Sequence, residues 1–134
     1  MVLADALHLP FKDDCFGAVT CFHVIEHLTK SAQALIEIRR VLRIGGILLL
    51  TTPNSRRITC KIGSLFLRRK TGSKYPLNPN HYLEYDERSL MNVAQNFQEA
   101  YVIPIFIGLG LGIEMKFPTF FKKYCDQWIL VATR

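Results

Sequence analysis

The chain has 134 residues, 49% hydrophobic and 21% charged, which is enough apolar material for one small core and excludes a disordered, collagen-like or low-complexity chain. Seventeen Lys and Arg against eleven Asp and Glu give a net charge of +6. That surplus suits an anionic partner without choosing among a membrane face, a phosphorylated ligand and nucleic acid.

In chain order, Val2-Leu3-Ala4-Asp5 reads as the end of a strand, and Leu9-Pro10-Phe11 with Asp13-Asp14 as a turn. Phe16 to Phe22 is rich in β-branched and aromatic residues and predicts a buried strand. Ser31 to Arg43 is the clearest helix. Ala34, Leu35, Ile38, Val41 and Leu42 form its apolar stripe, Glu37, Arg39, Arg40 and Arg43 face water, and Gly45-Gly46 supplies the C-cap. Ile47 to Thr52 has no polar alternation, as expected of a parallel strand covered on both faces. Strand, helix and strand in this order indicate an α/β fold. A basic stretch follows, with seven Lys and Arg between Arg56 and Lys74. Asp86 caps a second helix carrying Leu90, Val93, Ala94 and Phe97. Ala100–Ile107 and Gln127–Thr133 read as two final strands, joined by a Gly- and Phe-rich connection.

Other features set bounds on function. The longest nearly uninterrupted apolar run, Tyr101 to Ile113, contains one Pro and three Gly and is shorter than the roughly 18–20 residues of a membrane helix. No charged-then-apolar leader opens the sequence, so a cytoplasmic location is expected. Cys15, Cys21, Cys60 and Cys125 form no CxxC pair and read as buried thiols.

Ligands of an open α/β sheet bind at the carboxyl ends of its strands. Three such ends are available: Asp5-Ala6, Phe22-His23 and Thr52-Pro53-Asn54. Asp5 could accept from an exocyclic amine while the Ala6 N–H donates to a ring nitrogen, which would recognise an adenine-like edge; the alternative is that Asp5 caps the following turn. His23-Val24-Ile25-Glu26-His27 spells HxxEH, a zinc-peptidase string. Its place after a strand and before a crossover favours a capping and orienting role for Glu26 and His27, so no metal is expected. Gly108-Leu109-Gly110-Leu111-Gly112 resembles a nucleotide loop, but too little chain follows for a βαβ unit, and a flexible connection is the better reading. Ile58, Ile62, Leu65 and Phe66 interleave with Arg57, Lys61, Arg68 and Arg69 in the pattern of a short basic amphipathic helix, which suits peripheral membrane contact. No nucleic-acid motif is present, and none is expected as partner.

Taken in order, several segments resemble the class I S-adenosylmethionine-dependent methyltransferases. They are Ala4-Asp5-Ala6 with Leu9-Pro10-Phe11, Asp14 with Phe16-Gly17-Ala18-Val19, and Val24-Ile25-Glu26-His27-Leu28. Glu37 through Leu48, Thr52-Pro53-Asn54 and His81-Tyr82 before the Asp86 helix continue the series. The likeness is greatest to the small-molecule branch that includes ubiquinone O-methyltransferases. It implies a Rossmann-like fold of which this chain holds the later half only, about five strands with flanking helices. Residues 1–134 would form a single partial domain lacking the N-terminal glycine-rich cofactor loop. S-adenosyl-L-methionine is the implied cofactor. Asp5 would bond its adenine amine, Ala6 would present backbone to the ring, and Phe22 and His23 would line the methionine side. A small-molecule or lipid-like methyl acceptor would face Thr52-Pro53-Asn54. His27, His23 and His81 are the candidate bases. The second reading is a catalytically inactive remnant acting as a partner-binding or membrane-surface module.

Overall fold

The computed structural model describes residues 1–55, 83, 85–105, 125 and 127–134. Alternating β-branched and aromatic residues make Phe16–Phe22 the strand β1. Helix α1 spans Ser31–Val41 and buries Ser31, Ala34, Leu35, Ile38 and Val41, the stripe its spacing predicts. It crosses over to β2, Leu42–Pro53, which pairs parallel to β1. Helix α2, Glu87–Val93, starts from Asp86, whose side chain accepts from the Ser89 N–H while the Ser89 hydroxyl bonds back to the Asp86 backbone. Strands β3, Glu99–Ile105, and β4, Gln127–Thr133, complete a four-stranded sheet of order β1-β2-β4-β3. Strand β4 lies antiparallel to both neighbours, so the sheet is mixed.

Several expectations change. Residues 2–5 belong to no strand; Asp5 only bridges to His8. Helix α1 ends at Val41, and Leu42 is already extended at φ −70°, ψ 137°. Gly45 does have φ +73°, but it lies within β2, where the register jumps from Phe16–Leu42 to Ala18–Ile47. The last carbonyls of α1 are met from elsewhere in the chain. The amides of Asp14 and Cys15 donate to Arg40 and Val41, and the Arg134 guanidinium reaches the carbonyls of Arg39 (2.9 Å), Arg40 (2.7 Å) and Leu42.

The core forms on one face of the sheet. Cys21, Leu48, Leu50, Trp128, Leu130 and Ala132 pack with Leu35, Ile38, Leu42, Leu90 and Phe97. Strand β2 therefore alternates after all, with Leu48, Leu50 and Thr52 buried and Ile47 exposed. Strand β1, with β2 its one partner among the described residues, exposes Phe16 and Phe22 rather than lying buried. Glu37 and Arg40 do more than face water. Arg40 donates to the carbonyls of Leu9 and Phe11 and to the carboxylates of Asp13 and Glu37, and Glu37 accepts from the Leu9 N–H. This network fastens the turn before β1 to α1. Among the described residues, no helix is long and apolar enough to cross a membrane.

Candidate functional site

The carboxyl ends of β1 and β2 lie side by side because the two strands run parallel in register, Phe22 opposite Thr51. The His23 N–H extends the ladder to the Thr51 carbonyl at 3.0 Å. His23 itself adopts φ +53°, a left-handed conformation that a side-chain-bearing residue takes at a cost of about 1 kcal/mol. That turn leads into a 3-10 turn, Ile25–His27, which carries Glu26 back beneath the strand end.

Glu26 is 1% exposed. Its Oε1 lies 3.2 Å from His23 Nδ1, and its Oε2 accepts from the Thr52 hydroxyl at 3.3 Å. Thr52 is fully buried, brought there by the alternation of β2. Around this pair, Asn54 donates through Nδ2 to the Cys125 carbonyl at 2.8 Å and bridges in parallel to Tyr85. The Leu83 N–H bonds the Glu26 carbonyl. A buried carboxylate is tolerable because both its oxygens have partners. Burial, with the Glu26 charge adding to it, pushes the Cys21 thiol up to about 11. Burial likewise raises the Tyr85 phenol.

The predicted site residues separate into groups. His23 and Glu26 come together, with the imidazole half-exposed. His27 lies on the exposed side of the same turn. Among the described residues, no three His, Cys, Asp or Glu side chains converge as metal ligands. Phe22 is exposed at the strand end. Asp5 is exposed and takes the turn-capping arrangement: its Oδ1 accepts from the Leu7 N–H at 2.9 Å and its Oδ2 is 3.5 Å from His8. The Leu7 N–H holds the Asp5 carboxyl below its ordinary range. Ala6 is half-buried in the same turn. His81, Tyr82, the basic segment from Arg56 to Lys74, Cys60 and the Gly108–Gly112 run lie outside the described residues. Thr52 as the partner of Glu26 has no signal in the sequence, because Ile47 to Leu50 is uniformly apolar and the contact depends on the register of β2 against β1.

Residues 1–50 match the family model described as a methyltransferase domain. A protein of Mycolicibacterium smegmatis named probable S-adenosylmethionine-dependent methyltransferase is 39% identical over 105 residues, 77% of this chain and 37% of its own length. A demethylmenaquinone methyltransferase of Thermotoga maritima is 39% identical over 70 residues, half of this chain and 31% of its own. This chain thus spans about a third of the length of the curated relatives it matches. Among solved structures, a SAM-dependent methyltransferase from Thermotoga maritima superposes with a TM-score of 0.68 at 18% identity, covering 97% of this chain and 61% of its own. One from Archaeoglobus fulgidus gives 0.65 at 14% identity, covering 99% and 66%. At that identity these likenesses show the fold.

Proposed function

We propose that this chain, whose first 50 residues match a methyltransferase domain model and whose fold is that of S-adenosylmethionine-dependent methyltransferases, serves methyl transfer from S-adenosyl-L-methionine to a small or lipid-like acceptor. Residues 1–134 form, in this reading, one portion of a methyltransferase domain. The observation that carries it is that the matched segment, residues 1–50, contains β1 and the turn bearing His23 and Glu26, which meets Thr52 at the adjoining end of β2.

When bound, the cofactor supplies a methyl group on a sulfonium, an already activated carbon. The protein's task is then to align an acceptor in line with that carbon and to exclude water. Asp5 fits the adenine amine. Its carboxylate is exposed and ionised, and one N–H bond to Oδ1 leaves acceptor capacity on both oxygens. The Ala6 backbone is assigned to the adenine ring, and Phe22 and His23 to the methionine side. The acceptor is placed beside Thr52-Pro53-Asn54, with His23, His27 and His81 as the histidines within the proposed machinery. A lipid-like acceptor gains support from the demethylmenaquinone methyltransferase relative, and peripheral membrane contact through Arg56 to Lys74 would suit it.

Isothermal titration of the 134-residue chain with S-adenosylmethionine or S-adenosylhomocysteine tests this. Saturable binding that weakens at least tenfold in Asp5→Ala is expected, a loss of about 1.4 kcal/mol. No heat at millimolar ligand would sink cofactor binding by this chain alone.

A further inference from the structure

Among the described residues, the only ionisable group within hydrogen-bond reach of the buried Glu26 carboxylate is the His23 imidazole. A carboxylate only accepts hydrogen bonds. The ring nitrogen facing it, Nδ1, therefore carries the proton, and in the neutral ring the lone pair sits on Nε2. The other carboxylate oxygen is occupied by the Thr52 hydroxyl, so the carboxylate cannot turn away. Thr52 belongs to β2 and His23 to the end of β1. The pair of bonds thus fixes the imidazole relative to both strand ends at once. The left-handed backbone at His23 is what lets the ring fold back onto the turn that carries Glu26.

We infer that Glu26, anchored by Thr52, is a positioning residue that holds His23 as the Nδ1–H tautomer, making His23 Nε2 the general base for a hydroxyl or phenol acceptor. This rests on the methyltransferase reading and deepens it by singling out one of three histidines and naming an acceptor class. In the step, the acceptor oxygen forms a bond to the methyl carbon as the carbon–sulfur bond breaks. The bonding pair stays on sulfur, leaving a neutral thioether. The acceptor's proton passes to His23 Nε2, and the resulting imidazolium faces the Glu26 carboxylate, which stabilises it.

The arrangement differs from a merely structural contact in its effect on the imidazole proton. Two-bond proton–nitrogen correlation spectra of the 15N-labelled 134-residue chain, at about pH 9 where an imidazole is neutral, report the tautomer directly. His23→Gln assigns the signal. The wild-type chain is expected to show His23 predominantly as Nδ1–H. Glu26→Gln, whose amide oxygen still accepts, keeps that signature. Glu26→Leu inverts it to predominantly Nε2–H, and Thr52→Val gives a mixture. A wild-type His23 that is predominantly Nε2–H overturns the inference, as does a signature unchanged in a folded Glu26→Leu chain. If Glu26→Leu does not fold, the wild-type and Glu26→Gln spectra decide alone. The cofactor titration described above fails independently. Absent binding with an intact Nδ1–H signature refutes the base role in this chain by removing its methyl donor, while an Nε2–H signature with intact binding refutes the positioning and leaves the methyltransferase reading standing.

Discussion

Arg40 sets one guanidinium against acceptors from three parts of the chain: the Leu9 and Phe11 carbonyls, Asp13, and Glu37 within its own helix. A planar fork with five donors suits this task where an ammonium would not. The hydrogen bond from Arg40 is the main cause holding the Glu37 carboxyl below its ordinary value, with the Leu9 N–H adding to it. A lowered folded value means that Glu37 stabilises the fold above the ordinary Glu range, near pH 4.3, and that this is lost as pH falls through the depressed value. Glu37→Gln is therefore expected to be less stable than wild type at pH 7, with the gap narrowing below about pH 4. Urea unfolding at a series of pH values measures the gap. A difference that stays constant down to pH 3 would show that Glu37 acts by packing rather than by charge. The turn before β1 is where the loss would appear first, since both Leu9 bonds run to this pair.

At the scale of elements, the junction of α1 and β2 shows where local pattern and tertiary structure part. A Gly45 side chain would meet nothing within 4 Å but would sit at φ +73°. A Gly46 side chain would stand 2.8 Å from the Arg43 carbonyl and 3.2 Å from that of Phe16, both backbone atoms. Gly45→Ala is expected to cost about 1 kcal/mol from the left-handed conformation alone. Gly46→Ala should cost more, about 1–3 kcal/mol, because backbone must shift to admit the methyl. Urea midpoints at unchanged m-value give both, and equal losses would contradict the steric account. The two helices were legible because their apolar periods are strong, and the four strands because they are runs rich in apolar, β-branched and aromatic residues. The end of α1 was not, since the groups that satisfy its carbonyls come from Asp14, Cys15 and Arg134. Nor was the one-sided burial of β2 legible, because Ile47 and Leu49 are as apolar as the buried Leu48 and Leu50 and composition does not say which face is covered. In the site, the His23–Glu26 spacing was readable, whereas the Thr52 bond depends on the register of β1 against β2. Asp5 was ambiguous in sequence because capping and ligand binding use the same carboxylate.

The same one-sided burial governs the molecule as a whole. The pairing of the four strands aligns Phe22, Thr51, Ile129 and Ile103 in one row and Thr20, Leu49, Val131 and Tyr101 in the next. Phe22, Ile47, Tyr101 and Ile103 are all exposed, and they share the face opposite the core. Scattered exposed apolar residues are ordinary, but rows of them spanning a sheet form a continuous patch that water solvates poorly. Strand β1 adds an edge with unpaired backbone groups among the described residues, the geometry that invites strand addition. The 134-residue chain is therefore expected to bind a hydrophobic dye in its native state and to self-associate as concentration rises. Ile103→Lys and Ile47→Lys should each reduce both effects. Neither should lower stability by more than about 0.5 kcal/mol, because the side chains replaced are already exposed. Sedimentation velocity over a hundredfold concentration range reads the association, and a wild-type chain that stays monomeric and dye-free throughout would show the face to be covered. The Lys variants also bear on the cofactor titration, because an associated chain would mask weak binding. Binding that strengthens as association falls would mean that association through the apolar face occludes the strand-end site.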